Sequence, residues 1–499
     1  MHRLSGADDG FLFIESPTQV STCVTVAELA AAVPGGPGPV TFDDLRRHVL
    51  SRLDVLPSFR WRLRRVPFGL NHPVMVEEPR LDLAYHFRHV TLPGPGTVEQ
   101  LDRYVASVSR TRLDRRHPLW QIILVDGLAG DRQVVIFLIH HTIADGVAWT
   151  TSLDRLLGDG PVPATDHGAT DGDTGGATDG ATDGVDGDVD NRDPGWLPVL
   201  LAALVDQLRA LARLPRLVLQ TRAHGRAVRE RRRTNAVPVP KSMVDTPPTS
   251  LNDCVTLDRV TARTTVSLAD LRRVRQASGV TINDVALAMV AGALRRHLEE
   301  IGETPGGALT VNVPVSGEPD GAPPRQFGNG FNNILSTLAT DIDDPWERLL
   351  TISVVTAEAR HRLELAGREI VRQWLDYAAP FFAEPVVRAW ASMRRRHPEK
   401  AEFSVLVSNV RSAPNPWSLS GLPVEHLWIS GPTFDGGGVN VTLVSRGGDI
   451  DLAVMANPSA LPDPAALIAG LHRALDELLA VVDEGTVSED AGTEAAAAR

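Results

Sequence analysis

The sequence predicts α/β or α+β layers arranged in two lobes, and three observations lead there. At 499 residues the chain exceeds what one hydrophobic core organises, so two domains and a connection are expected. Short β-like runs alternate with helical patterns on both sides of a compositional break near Gly158. No strand leads into a Gly-rich dinucleotide loop, so the layers carry no nucleotide-fold signature.

Residues 1–159 are the expected N-terminal lobe. MVEE and QVVIFLI read as strands, and TVEQLDRYVASVSRTRL places Leu101, Val105 and Val108 on one helical face. VVIFLI is apolar at both alternating positions, as in a strand covered on both sides. It runs into FLIHHTIADGVAW, residues 137–149. A period of two sends His140 and His141 to opposite faces, one held inside while the other meets a cavity. Asp145-Gly146 then lets the chain turn, glycine tolerating a positive φ, and VAWTTSLDRLL reads as a helix packed back on the strand.

Imidazole exchanges protons near neutrality, so a histidine anchored at a strand end suits a general base. Asp145 can orient that base directly or brace the turn through a salt bridge to an arginine; its four-residue separation suits bracing better. There is no G-x-S-x-G elbow, no H-E-x-x-H pair and no G-x-x-x-x-G-K-[ST] loop. Without a covalent nucleophile, direct transfer to an activated acceptor is the economical chemistry.

Residues 160–193 repeat ATDG-like units with almost nothing apolar to bury, and are expected to form a disordered spacer. Their spacing lacks the terminal glutamate of an EF-hand loop. Deleting residues 160–191 is expected to leave folding and activity intact. Residues 194–249 form an apolar, then Arg-rich, helical connector. Such a helix either lies on a lipid surface or packs on its own protein with a solvated basic end. The second reading is preferred, because apolar-periodic helices are mostly core elements. Pro215 is expected to break or kink it.

Residues 250–484 are the expected C-terminal lobe, with a helix at INDVALAMVAGALRRHLEE (282–300) and strands at ALTVNVPVS and VNVTLVS. In the last, Asn440 and Thr442 share one face and Val439, Val441 and Leu443 the other. That polar face is turned either to water or to a cavity, where it could donate to an oxyanion. In TINDVA, Asn283-Asp284 either cap the helix or support the cavity. Residues 485–499 read as a frayed tail.

The net charge of −12 excludes a general nucleic-acid binder. Cys23 and Cys254 are too far apart in sequence for a metal-ligand spacing and suggest no disulfide framework. MHRLSGADDGFLFIE lacks the pattern of a signal peptide, and no run of about 18 apolar residues occurs. A soluble or peripheral, cytoplasmic protein is expected.

HHTIADG resembles the HHxxxDG motif of the chloramphenicol-acetyltransferase-like, CoA-dependent acyltransferase superfamily. More narrowly, the chain resembles the bacterial wax ester synthase/diacylglycerol acyltransferase family. The stretches that carry this are LSGADDGFLFIESP, GLNHPVMVEEPRLDLAYHFRHVTLPGPG, LDRRHPLWQIILVDGL, TINDVALAMVAGALRRHL, VNVPVSGEPD followed by GNGF, LVSNVRSAPNP and GGGVNVTLVS. HHxxxDG alone is shared with condensation domains and plant acyltransferases; the ordered set is far more specific.

The resemblance implies two similar lobes with mixed sheets and an active site in a tunnel between them. His141 would be the general base, supported by His140, Asp145 and Gly146. Asn283, Asn440 and Thr442 would serve as oxyanion donors or tunnel support. Long-chain acyl-CoA would be a co-substrate, with no tightly bound cofactor, and a fatty alcohol or diacylglycerol the acceptor. Peripheral contact with a membrane or lipid droplet is also implied. Two departures bear on the acceptor side: bulky Trp149 follows the motif, and STCVTVAEL replaces a PMHVG-like sequence. Arg394-Arg395-Arg396 is either a contact for CoA phosphates or a solvated charge run, the latter preferred. The alternatives are an acyltransferase of secondary metabolism with a smaller or carrier-bound substrate, and a non-catalytic lipid-surface protein. The intact motif speaks against the last.

Overall fold

A computed structural model describes the chain apart from residues 33, 159–194, 242–243, 245, 319–320, 324, 413–415 and 486–499. The expected spacer and nearly all of the expected tail fall outside the described residues.

Strands whose alternate side chains are all apolar must be covered on both faces. Gln133–His140 is accordingly buried throughout; Thr22–Leu29, buried as well despite Thr22, Thr25 and Glu28, pairs with it antiparallel at the centre of a six-stranded sheet. Its order is 418–419, 422–430, 22–29, 133–140, 120–126, 87–91. Only Phe87–Thr91 and Trp120–Asp126 run parallel, so the sheet is mixed. Helix Val98–Val108 buries Leu101, Val105 and Val108, as its spacing requires.

This sheet corrects the expected boundary of the C-terminal lobe. Leu422–Ser430 lies deep in residues 250–484, yet pairs with Thr22–Leu29, with Leu427 opposite Ala27. Without it, the apolar strand 22–29 would be an open edge inviting association.

The second sheet has the order 331–337, 310–316, 405–411, 439–446, 449–456, 260–267. Helix Ile282–Glu300 is buried along most of its length and packs against helix Pro464–Asp483. Its start is a capping box, with Thr281 and Asp284 each satisfying the other's backbone N–H. Each of the two sheets has its own large apolar core.

The connector is one helix, Trp196–Thr234, and it continues through Pro215 where a break was expected. Proline removes the hydrogen bond to the carbonyl four residues earlier. Here that residue, Leu211, is exposed, so water can serve its carbonyl. The C-terminal half is pinned to the second lobe by Arg231 on Glu358 (2.7 Å), by His224 on the Leu365 carbonyl and by Trp374 on Thr221. The N-terminal half also packs on its own protein, but not through its leucines. Only Val199, Ala203 and Leu217 of this helix are buried, and most of its leucines face outward.

Among the described residues no single helix is long and apolar enough to cross a membrane. A bent pair, Leu268–Ser278 and Ile282–Glu300, meets that criterion on length and composition, but its second helix is core.

Candidate active site

The strand Gln133–His140 ends where the first lobe meets the second, and parity separates the two histidines as expected. His140 is fully buried. Its Nδ1 accepts the Thr142 N–H at 3.1 Å, so the neutral ring carries its proton on Nε2, which lies 3.4 Å from Glu15 Oε1. Burial raises the Glu15 carboxyl, but the His140 Nε2–H, the Ser21 N–H and Arg115 beside it outweigh this and hold the group at about 2. His140 therefore fixes the turn from inside.

His141 faces a cavity of about 900 Å³ between the lobes. Its ring stacks on Phe11 at 4.0 Å between centroids, and Phe331 meets it edge-on. Its Nδ1 lies 3.0 Å from Asn329 Oδ1. The Asn329 amide nitrogen donates to the His141 carbonyl (2.9 Å) and to Asp8 Oδ1 (2.8 Å), and the Asn329 backbone N–H donates to the same Asp8 oxygen. Both amide hydrogens are thus engaged, and Oδ1 can only accept. His141 must hold its proton on Nδ1, leaving the Nε2 lone pair for the cavity. Burial lowers the pKa of His141, partly opposed by the Asp145 carboxylate, so the ring is neutral at neutral pH.

Asp145 braces the turn, as its spacing suggested. Its Oδ1 caps helix Gly146–Leu157 by accepting the Ala148 N–H. Its Oδ2 accepts from Arg325 (2.7 Å) and from the Gly330 N–H (2.8 Å). Arg325 also binds the Gly328 carbonyl, and Gly328 donates to the Ile143 carbonyl (2.7 Å). A loop over 325–330 thereby stitches the second lobe onto the HHxxxDG turn. Gly146 is needed for a reason other than the expected one. It does not adopt a positive φ; a Cβ there would lie 2.7 Å from Val410 Cγ2 on the strand Val405–Arg411.

Asn283, Asn440 and Thr442 all line the cavity, which removes the alternative of a face turned to water. The Thr442 hydroxyl donates to Asn440 Oδ1 (2.9 Å), and Asn440 Nδ2 donates to the Pro432 carbonyl (3.2 Å). Asn283 Nδ2 is buried with no partner among the described residues, the capping being done by Asp284. The two departures noted in the sequence, Trp149 and Cys23, line this same cavity. Trp149 is fixed there by its Nε1–H on Thr25 (2.7 Å). Burial pushes the Cys23 thiol up to about 12, so it stays protonated. Of the arginine cluster, Arg394 is buried in the cavity wall over the Trp390 ring rather than solvated, whereas Arg395 and Arg396 are exposed. Trp120 is packing, with its Nε1–H on the Phe59 carbonyl.

Sequence reasoning missed Asp8, Phe11, Glu15, Arg325 and Asn329 as site residues. The only signal for Asn329 was its place in GNGF.

Two mixed α/β lobes, joined around a histidine that offers one free ring nitrogen to an interlobe cavity, make an acyltransferase of the chloramphenicol-acetyltransferase-like class. Its fold is shared with the first condensation domain of the CDA synthetase (TM-score 0.56, 16% identity, 96% of each chain). It is also shared with the wax ester synthase/diacylglycerol acyltransferase of Marinobacter aquaeolei VT8 (TM-score 0.63, 24% identity, 97% of this chain and all of that one). The profile of the wax ester synthase/diacylglycerol acyltransferase catalytic domain matches residues 4–286, and that of the WS/DGAT C-terminal domain matches residues 327–479. A Mycobacterium tuberculosis (strain H37Rv) protein carrying the name of a diacylglycerol O-acyltransferase is 31% identical over 475 residues, 94% of each chain. The O-acyltransferase WSD of Acinetobacter baylyi is 28% identical over 412 residues, 81% of this chain and 83% of that one. The chain belongs to the wax ester synthase/diacylglycerol acyltransferase family.

Proposed function

We propose that this acyltransferase moves a long-chain acyl group directly from an acyl-CoA to the hydroxyl of a fatty alcohol or a diacylglycerol, with His141 as general base. The observation that carries the reading is the fixed tautomer of His141, whose unprotonated Nε2 faces a largely apolar cavity. His141 takes the hydroxyl proton as the oxygen attacks the thioester carbonyl. The new C–O bond forms and the carbonyl electrons become an oxyanion. Its collapse breaks the C–S bond, and the departing CoA thiolate recovers the proton from His141. General-base catalysis supplies about 10²- to 10⁴-fold, and holding both chains in register supplies much of the rest.

Cys23 remains a thiol in the cavity wall, which fits transfer without a cysteine intermediate. Asn283 is the leading oxyanion donor, because its amide has hydrogens to give. Thr442 already gives its proton to Asn440, so this pair shapes the tunnel wall. Acceptors this apolar reach the enzyme from a lipid phase, which makes a membrane or droplet surface the natural partner.

The test is CoA release from palmitoyl-CoA by purified protein, with hexadecanol, a diacylglycerol or no acceptor, beside His141→Ala, with chromatography of the products. Acceptor-dependent release with an ester product, lost in the variant, is the expected result. Release that needs no acceptor, or that survives in the variant, would overturn the assignment.

A further inference from the structure

In the first half of the connector helix two stripes repeat with the same 4,3,4 spacing, two residues out of step. Val199, Ala203, Asp206 and Ala210 face the protein: the first two are buried, Asp206 pairs with Arg3 (2.9 Å), and the Ala210 carbonyl accepts the Tyr377 hydroxyl (2.8 Å). Leu197, Leu201, Leu204, Leu208 and Leu211 form the other stripe, turned by about 200°. All five are exposed, Leu208 by 67%. The helix thus presents small and acidic residues to its own protein and leucines to the outside, the reverse of a surface helix serving its own core.

This stripe is continued by neighbouring elements. The short turn Pro67–Gly69 touches both the connector helix and the helix Pro380–Arg396. At its tip Phe68 is 81% exposed and has a φ of 58°, a conformation a bulky side chain rarely adopts. Helix Pro380–Arg396 adds an outward run of Phe382, Val386, Trp390 and Met393. Trp390 also lines the cavity that holds His141, so the apolar face runs up to the mouth of the site.

The charges around this face are basic, although the whole chain carries −12. Arg209, Arg213 and Arg216 are exposed beside the leucine stripe, and Asp206, the acid nearby, is shared between Arg3 and Arg209. On the second helix Glu384 is paired with Arg388, and Arg396 stands exposed at its end beside Arg395, which is itself paired with Asp435 (3.6 Å). Leucines and aromatics bordered by arginines are what a helix lying in an anionic headgroup layer requires.

We propose that the leucine stripe, the Phe68 tip and helix Pro380–Arg396 form one docking face for an anionic phospholipid surface, from which substrate chains enter the cavity past Trp390. The proposal rests on the acyltransferase reading for what enters, and on the surface alone for what binds. The experiment is flotation of the full chain with vesicles of phosphatidylcholine, or of phosphatidylcholine with phosphatidylglycerol, at low and high salt. It is run beside Leu201→Asp/Leu208→Asp and Phe68→Ser, with solution mass and transfer between soluble short-chain substrates measured on the same samples. The expected result is salt-sensitive binding to the anionic vesicles. It should weaken about tenfold or more in the double variant, while short-chain transfer and the monomer mass are kept. Equal flotation of wild type and variants, or none by wild type, would overturn the docking face. So would a wild-type dimer split by the same substitutions, since the face would then belong to a second copy. Loss of short-chain transfer in wild type that still floats would count against the acyltransferase reading and leave the docking face standing.

Discussion

His141 is useful because of what happens at its other nitrogen. Asn329 accepts from Nδ1 and is itself held by Asp8, so the base is set by two residues outside the cavity lining. Asn329→Ala should lower kcat by about tenfold or more with little change in KM, as loss of an orienting partner does elsewhere. Asn329→Asp should move the acid limb of the pH profile upward, because a carboxylate favours the imidazolium. A purely structural role would leave that limb in place. In the wild type the sign is fixed by burial. His141 must be deprotonated to act and its pKa is lowered, so the acid limb of kcat/KM should be centred below about 6.5. A limb centred above that value would contradict the burial of this ring. The pair of histidines, their opposite faces and the bracing aspartate were legible because they lie within six residues of one strand end. Asn329 was not, since it stands 188 residues away and no local pattern encodes a partner at that distance.

Among the elements, the helix Gly146–Leu157 bears a tight contact between the lobes. Its first residue leaves no room for a methyl group against Val410. Gly146→Ala should therefore push the helix start from the strand Val405–Arg411, costing about 1–3 kcal/mol and displacing Asp145 from Arg325. Adding Val410→Ala should restore much of the melting temperature and the activity; two independent sites would simply add their losses. The Asp-Gly pair was readable as a turn, but the physical demand for glycine came from a strand some 260 residues on, which the sequence does not announce. The helix Ile282–Glu300 was readable to the residue because its capping box and apolar content are local. The connector helix packs on its own protein, as preferred, but through a face other than its leucines, for a related reason. Apolar periodicity tells that a helix has a greasy side, and only the packed structure tells that this side points away.

At the scale of the whole molecule, the two lobes are visible in the sequence and the exchange between them is not. Leu422–Ser430 reads as a strand of its own region and pairs with the other one. A fragment of residues 1–159 should consequently aggregate on expression, because Thr22–Leu29 would offer an apolar open edge. Recovery of that fragment as a soluble monomer would show that the sheet is self-sufficient. The exchanged strand also sets a clock for synthesis. The first sheet stays incomplete until residue 430 leaves the ribosome, about 290 residues after the histidine pair and roughly 15–60 s later at ordinary translation rates. Through that interval a nascent apolar edge waits without its partner, so the soluble yield of this protein should rise with co-expressed chaperones even where the finished fold is stable.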